Sequence, residues 1–260
     1  MKLKTYIINL EKSTVRRQYM QELLSGYEFL DVEFLKAIDG RLFSGEERRS
    51  MFDYEKSVKL YGKDINPGEV GCALSHRKAY EELLRSGNEY ALILEDDISI
   101  VRDLQSLDIS EIDSIMKTDV PKAMMLSGDY WYLKRQKIVR LFSAVGAYAY
   151  LVNRAAAKRI LSILPPCCVA DDWMFYKRNG IKLYAIHPYL IDANLNMDSL
   201  GSDVKQDTWA IDRSKISPKE MIIGYFNGAV KKLLKLFGHF EYKNRVINNI
   251  VVEQHKNPFK

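Results

Sequence analysis

Short apolar runs alternate with longer amphipathic segments through most of the chain. The apolar runs predict strands at 4–10, 32–37, 90–95, 122–127, 147–152 and 181–186. Helices are predicted between them, beginning near residues 13, 66, 153 and 171–172. The best marked of these starts at 66–69, where Asn is a typical N-cap, Pro a typical first helical residue and Glu a capping-box residue. It should end at Ser86-Gly87-Asn88.

Helices that alternate with strands predict an α/β fold with a mainly parallel central sheet. A hairpin formed by 131–133 and 138–142 adds antiparallel strands. Neither an internal repeat nor a low-complexity linker interrupts this part of the sequence. Residues 1–213 are therefore predicted to form one domain, followed by a basic helical extension over residues 214–260.

The extension contains an amphipathic helix. On a helical wheel one face carries Ile222, Phe226, Val230, Leu233 and Phe237, and lysines occupy the other. Residues 214–260 carry a net charge of +6 and residues 1–213 a net charge of −1. The helix either packs on the domain with solvated lysines or lies on an anionic membrane surface, and one helix can do both. A nucleic-acid enzyme would carry its positive charge around the site, so no nucleic-acid partner is expected.

Composition bounds the class of protein. With 47% hydrophobic residues among 260, the chain can bury a substantial core. The first apolar run is too short for a signal peptide, and no apolar window is long enough for a membrane span. The three cysteines have neither a disulfide-framework nor a zinc-finger spacing. We therefore expect a cytoplasmic protein with reduced cysteines.

Three consecutive carboxylates follow the apolar strand at 90–95. Burying Glu95, Asp96 and Asp97 without partners would cost several kcal/mol per charge, so they should lie at the carboxyl edge of the sheet, where ligands bind. Clustered carboxylates suit a hard divalent cation, and such a cation suits a diphosphate. Acidic residues are also common in turns, so the metal interpretation depends on the rest of the chain.

Four segments in a fixed order support that interpretation by resemblance. Together they resemble glycosyltransferase family 25, of the lipopolysaccharide and lipooligosaccharide galactosyltransferase type, over about residues 3–200. The segments are Tyr6-Ile-Ile-Asn-Leu with Arg16-Arg17, Gly68-Glu-Val-Gly-Cys-Ala-Leu-Ser-His76, Leu92-Ile-Leu-Glu-Asp-Asp97, and Ala147-Tyr-Ala-Tyr-Leu-Val152 followed by Asp171-Asp172-Trp173.

The resemblance implies a GT-A-type fold, a nucleotide-sugar donor and inverting transfer to a saccharide acceptor. It also implies that residues 95–97 fill the place of the family's Asp-x-Asp metal motif. Two departures concern the choice of donor or acceptor. Residues 145–150 lack the Thr and His usual in the family, and the segment after His187-Pro188 reads Asp192-Ala-Asn194 instead of ending in Pro and Gln.

The donor site is expected where the first two strands end and along the neighbouring helices. One of Arg16 and Arg17 is a candidate for a phosphate or base contact, with the other solvated. Asp39-Gly40 contacts uracil or ribose or forms a simple turn, and His76 contacts the donor or packs the helix. The candidate donor contacts are Asn9, Leu10, Arg16, Arg17, Ala37, Asp39, Gly40, His76, Lys78, Glu95 and Asp96.

Metal and base assignments follow from the same motifs. Asp97 is the expected direct ligand of Mn²⁺ or Mg²⁺, with Asp96 binding through water. His187, at the end of the last strand, is a candidate second ligand or a packed histidine. Asp171 and Asp172 match the family motif expected to supply the base. We favour Asp172 as base and Asp171 as helix N-cap.

The leading functional hypothesis is a metal-dependent inverting hexosyltransferase. It would move galactose from UDP-galactose, in β linkage, onto lipooligosaccharide or lipopolysaccharide at the inner face of the bacterial inner membrane. UDP-glucose and UDP-N-acetylhexosamine are alternative donors. A metal-dependent phosphohydrolase and a non-catalytic sugar-nucleotide-binding protein are alternatives of other classes. The sequence leaves the oligomeric state open.

Overall fold

The computed structural model describes residues 2–194 and 211–242, together with the backbone of 245–247 and 250–252. In chain order the strands of these residues are β1 (Leu3–Asn9), β2 (Leu30–Lys36), β3 (Tyr90–Glu95), β4 (Ile98–Ile100), β5 (Lys122–Met125), β6 (Tyr130–Tyr132), β7 (Ile138–Ala144), β8 (Ala149–Asn153), β9 (Lys182–Ile186), β10 (Ile191–Ala193), β11 (Phe240–Glu241), β12 (Arg245–Ile247) and β13 (Ile250–Val252).

Helices occupy most of the connections between the strands. They are α1 (Thr14–Leu24), α2 (Gly45–Met51), α3 (Tyr54–Tyr61), α4 (Pro67–Ser86), α5 (Ile109–Met116), α6 (Arg154–Leu161), α7 (Trp173–Arg178) and α8 (Pro218–Leu236), with 3₁₀ turns at Gly40–Leu42, Leu104–Ser106 and Arg213–Lys215. None of the helices in the described ranges is long and apolar enough to cross a membrane.

A nine-stranded sheet forms the centre of the molecule, in the order β11-β6-β7-β9-β5-β8-β3-β1-β2. Six of these strands run in one direction, and β7, β8 and β11 run against them. The predicted α/β fold is therefore confirmed, and so is the hairpin, which is β6 and β7. The antiparallel β8 separates β3 from β5. Strands β3, β1 and β2 therefore form a parallel group at one edge of the sheet.

The central strands are buried on both faces because helices cover the sheet on each side. Side chains alternate along β1, so that Tyr6 and Ile8 join one apolar cluster while Ile7 joins the other. The same alternation on β3 sends Ile93 to one cluster and Leu92 to the other. These strands consequently read as continuous apolar runs.

Helix α4 has the ends that its sequence predicts. Asn66 and Glu69 form a reciprocal capping box, and Gly87 ends the helix in the left-handed conformation, with φ of 76°. The loop after β2 lies directly on the first turns of this helix. A Cβ on Gly71 would stand 2.4 Å from the Ile38 carbonyl oxygen, and one on Gly40 would stand 1.9 Å from that of Pro67. Because glycine has no Cβ, the backbones of the loop and the helix can approach this closely at both positions.

The C-terminal segment is attached to the domain through α8 and β11. Strand β11 pairs with β6 at the sheet edge, and Glu220 of α8 forms an ion pair with Arg178 of α7, 2.9 Å long. Lys231 lies 4.4 Å from the centroid of the Trp131 ring. The division at residue 213 stays a prediction, and residues 243–244, 248–249 and 253–260 of the extension lie outside the described residues.

The orientation of α8 differs from that of an ordinary packed amphipathic helix. Among the described residues its apolar stripe faces outward, with exposed fractions of 70% for Ile222, 65% for Phe226, 53% for Leu233 and 70% for Phe237. The opposite side of the helix, which includes Lys231 and Glu220, makes the contacts with the domain. The lysine face is thus partly packed, and the apolar face is not used by the described core.

Candidate active site

A cleft lies at the carboxyl ends of β1, β2 and β3, against the first turns of α4. This is the edge at which open α/β sheets bind ligands. The residues expected from the sequence that line it are Leu10, Arg16, Ala37, Asp39, Gly40, His76, Glu95, Asp96 and Asp97. Cys72, Ser75 and Arg41 also line it, and the sequence analysis did not assign them to the site.

Asp96 is the buried member of the acidic motif. Its Oδ2 accepts a hydrogen bond from Asn9 Nδ2 at 2.7 Å, and its Oδ1 pairs with an Arg16 guanidinium nitrogen at 2.9 Å. Burial raises the pKa of Asp96, and the contacts with Asn9 and Arg16 oppose that rise. Both carboxylate oxygens are thus engaged by protein. The contact of Asp96 with a metal-bound water and the contact of Asn9 with the donor stay predictions, and the structure adds that the two side chains are hydrogen-bonded to each other.

Glu95 and Asp97 are the accessible members of the motif, with 26% and 23% of their side chains exposed. Asp97 Oδ2 accepts a hydrogen bond from Arg16 at 3.1 Å, and Glu95 Oε1 lies 3.3 Å from His76 Nε2. Two partly exposed carboxylates at one strand end fit a hard divalent ion, which needs only one or two protein carboxylates beside phosphate oxygens and water. Arg16 pairs with two carboxylates of the acidic motif.

Asp39 holds the loop after β2 in place. It accepts hydrogen bonds from Lys12 Nζ at 2.9 Å and Arg41 Nε at 2.7 Å, and caps the 3₁₀ turn. The Arg41 guanidinium is the main reason that the pKa of Asp39 falls well below its usual range. Ser75 Oγ accepts a hydrogen bond from the Ile38 N–H at 2.7 Å. Asp39-Gly40 is therefore both a turn and part of the cleft wall.

Arg17 and Lys78 lie away from the cleft. The Arg17 guanidinium lies over the Phe34 ring at 4.2 Å, and Lys78 Nζ donates to the Lys36 carbonyl at 2.9 Å. One residue of helix rotates a side chain by about 100° and two by about 200°, so neither shares the face of Arg16 or His76. Neither side chain lines the cleft, and their assignment to donor binding stays a prediction.

His187 belongs to another cluster. Its Nδ1 lies 3.2 Å from Tyr130 Oη and 3.4 Å from Glu241 Oε2. Strands β5 and β8 separate β9 from β3, which is about 14 Å across the sheet. This corrects its assignment as a second metal ligand. Burial, together with the neighbouring arginine charges, lowers the pKa of His187.

The segment next to Asp97 is instead residues 191–194. Strand β10 pairs with β4, which directly follows the acidic motif, and the Asn194 N–H donates to the Asp97 carbonyl at 2.6 Å. Asn194 Nδ2 also donates to Tyr19 Oη at 3.0 Å. The sequence differs from the family pattern at Asp192-Ala-Asn194. That difference was the only sequence signal for this segment, and it did not predict a position beside the acidic motif.

Asp172, and not the expected Asp171, is the N-cap of the helix that follows the pair, whereas the identity of the base stays a prediction. Asp172 is the N-cap of α7, accepting from the Phe175 N–H at 2.9 Å, and its other oxygen accepts from Tyr61 Oη at 2.8 Å. Asp171 Oδ2 accepts from the Gly146 N–H at 3.1 Å. Burial raises the pKa of Asp171, the Gly146 hydrogen bond opposes the rise, and the negative charge of Glu95 adds to it. The charge of the acidic motif therefore contributes to the raised pKa of Asp171.

His76 combines packing and cleft contacts. Its Nδ1 lies 2.7 Å from Tyr150 Oη, which in turn lies 2.6 Å from Tyr80 Oη, and these groups are buried. Its Nε2 points to Glu95. Tyr150 and Tyr80 were not identifiable from sequence, because each reads as an apolar core position.

The family model for glycosyltransferase family 25, described as an LPS biosynthesis protein, matches residues 2–175. The chain therefore belongs to this family. The expected GT-A-type fold with a mainly parallel central sheet is confirmed with it.

Named relatives extend the comparison. A glycosyltransferase 25 family member of Aedes aegypti is 27% identical over 170 residues, which is 62% of this chain and 28% of the relative. Procollagen galactosyltransferase 1 of Danio rerio is 23% identical over 213 residues, 70% and 33%. A Bos taurus protein named probable inactive glycosyltransferase 25 family member 3 is 25% identical over 179 residues, 62% and 29%. The chain thus spans about a third or less of these curated relatives.

Solved structures resemble the chain more distantly. A glycosyltransferase involved in the glycosylation of the major capsid of PBCV-1 is 10% identical over 61% of this chain and 63% of its own, with a TM-score of 0.32. The A197 protein from STIV is 13% identical over 74% and 84%, with a TM-score of 0.42.

The different environments of Asp96 and Asp97 predict different effects of removing each carboxylate. Asp96→Ala should lower the free energy of unfolding by about 2–4 kcal/mol, because it removes the buried carboxylate to which both Asn9 and Arg16 donate. Asp97→Ala should cost about 1 kcal/mol or less, because its side chain is partly solvated. Urea unfolding of the two variants measures this difference, and equal losses would contradict the assignment.

Proposed function

We propose that the protein is an inverting hexosyltransferase that moves galactose from UDP-galactose onto a saccharide acceptor of lipooligosaccharide or lipopolysaccharide. The observation that carries the proposal is the accessible pair Glu95 and Asp97 in the cleft, with the buried carboxylate of Asp171 within electrostatic reach of Glu95. The name of the zebrafish relative supports galactose, and the description of the family model supports a lipopolysaccharide acceptor.

The transfer exchanges one bond for another at the sugar. The bond from the anomeric carbon to the diphosphate oxygen breaks, the acceptor oxygen forms the new bond from the opposite face, and UDP leaves. The acceptor hydroxyl proton passes to Asp171. A raised pKa makes this carboxylate a stronger base once it is ionised. Glu95 and Asp97 would hold Mn²⁺ or Mg²⁺, which neutralises charge on the leaving diphosphate when bound.

Two other classes of function have specific points in their favour. The bovine relative that is named probable inactive favours a non-catalytic sugar-nucleotide-binding protein. The acidic motif itself would also suit a metal-dependent phosphohydrolase. Against the latter, the described residues contain one group of at least three candidate metal ligands within reach of one another, Cys72, His76 and Glu95. Hydrolases of this kind generally need a richer oxygen-ligand set.

A panel of UDP-sugars with Mn²⁺ tests the proposed activity. UDP-galactose, UDP-glucose and UDP-N-acetylhexosamines are compared for UDP release, with and without β-glucoside and N-acetylglucosaminide acceptors. We expect the fastest acceptor-dependent release from UDP-galactose, and none after chelation or in Asp97→Ala. Faster release from another UDP-sugar would change the donor, UMP or phosphate release would indicate the hydrolase, and no release from folded protein would contradict transfer.

A matched pair of variants separates the two aspartates. Asp171→Asn should fold and bind donor but lose transfer by about 10²–10⁴, because the proton acceptor is gone. Asp172→Asn should keep most of the transfer rate, because asparagine still caps α7. In the unchanged protein, transfer should fall as pH drops through the raised pKa of Asp171, at a higher pH than an ordinary carboxylate gives. The opposite order of the two variants would return the base to Asp172.

The same proposal includes an anionic membrane surface as the place of the acceptor, at the cytoplasmic face of the bacterial inner membrane. Its support is the outward apolar stripe of α8, formed by Ile222, Phe226, Leu233 and Phe237. The exposed side chains of Lys232 and Lys219 lie on the same helix and match anionic headgroups.

Substitutions on the stripe test this docking. The triple change Ile222→Ser, Phe226→Ser and Leu233→Ser should lower co-sedimentation with phosphatidylglycerol vesicles at least about tenfold, since each removes apolar area available to the bilayer. Transfer to a soluble acceptor should survive. The control is Leu42→Ser with Leu164→Ser, which removes exposed apolar residues elsewhere, 82% and 73% accessible. Unchanged vesicle binding in the triple variant would make the stripe a contact for protein instead.

A further inference from the structure

Cys72, His76 and Glu95 bring three different metal-ligand atoms together in the wall of the cleft. Their sulfur, imidazole nitrogen and carboxylate oxygen all lie within 4.8 Å of one another. Cys72 and His76 are one turn apart on α4, so they share one face of the helix, and Glu95 comes from the end of β3. The helix and the strand are both fixed by the core, so the cluster does not depend on a loop.

The histidine is held in the orientation that a ligand needs. Its Nδ1 is anchored by Tyr150 Oη at 2.7 Å, and Tyr150 is anchored by Tyr80 Oη at 2.6 Å. With that nitrogen engaged, Nε2 is the atom directed at Glu95, 3.3 Å away. Anchoring of the second ring nitrogen by a buried polar group is the usual support of a metal-bound histidine.

We propose that Cys72, His76 and Glu95 bind a borderline divalent transition-metal ion, with Zn²⁺ as the representative, at a position separate from the hard-cation position of Asp97. The ligand chemistry distinguishes the two. Thiolate and imidazole favour zinc-like ions, whereas carboxylate with phosphate and water favours magnesium or manganese. Three protein ligands leave a tetrahedral ion one position open to the cleft.

Binding is balanced by the release of one proton. The Cys72 thiol loses its proton to solvent and binds as thiolate. When Nε2 of His76 is a ligand, the ring proton lies on Nδ1 and is donated to Tyr150 Oη, whose own proton is donated to Tyr80 Oη. Nε2 lies 3.3 Å from Glu95 Oε1, and a bound ion would take the place of that contact.

A bound ion of this kind would compete with the proposed reaction, because it takes an oxygen of Glu95. This consequence rests on the proposed function, whereas ion binding itself does not. Zn²⁺ should therefore inhibit Mn²⁺-supported transfer, and Cys72→Ser should relieve the inhibition. A direct readout of binding keeps the two proposals separable.

Titration of the metal-stripped full chain with Co²⁺ supplies that readout. We expect one equivalent to give a sulfur-to-cobalt charge-transfer band and intensified visible bands of a tetrahedral ion, both removed by Zn²⁺. Cys72→Ser should abolish the sulfur band, while the matched control Cys167→Ser keeps it. Tyr150→Phe should weaken Zn²⁺ binding about ten- to a hundredfold by releasing the histidine ring.

Three results would overturn the proposal. The first is the absence of a sulfur-to-cobalt band in the unchanged protein. The second is a band that survives Cys72→Ser and is lost in Cys167→Ser, which would move the site to the other cysteines. His76→Gln provides an independent check if Cys72→Ser changes the circular dichroism, and a tetrahedral spectrum retained by His76→Gln would also count against the cluster.

Discussion

The solvation of three adjacent carboxylates at the end of β3 is the constraint on which the site depends. A buried strand cannot leave three charges without partners, and the structure resolves this by pairing Asp96 with Asn9 and Arg16. The two partners come from β1 and α1, so the pairing also joins these elements to β3. Asp96 is fixed by these contacts, and its neighbours Glu95 and Asp97 remain partly exposed in the cleft.

The remaining walls are built around this fixed motif. Close backbone contact at Gly40 and Gly71 and the hydrogen bond from Ile38 to Ser75 place the loop after β2 against α4, in the wall of the cleft. On the opposite side, the Gly146 N–H holds Asp171, while Asp172 is occupied by the helix start and Tyr61. Two adjacent and chemically identical side chains thus have different surroundings: Asp172 caps α7, whereas the pKa of Asp171 is raised by burial and in part by the charge of Glu95.

The C-terminal helix packs on the domain through one side only. Its packed side carries Glu220 and Lys231, which contact Arg178 and Trp131, and its apolar stripe remains outside. A helix whose apolar stripe is exposed leaves that hydrophobic area available to another surface. This arrangement explains why a helical wheel alone did not indicate which face would meet the domain.

Local signals in the sequence determined the α/β fold, the extent of α4 from its capping box to Gly87, and the position of the acidic motif at a strand end. Each depends on near neighbours along the chain: apolar periodicity, side-chain caps and the backbone freedom of glycine. Only the tertiary structure decided which carboxylate is buried, that Arg17, Lys78 and His187 lie away from the cleft, and that Asp172 caps α7. Those outcomes depend on partners far away in sequence, such as Asn9 for Asp96 and Tyr61 for Asp172, and on strand order, which no local pattern encodes.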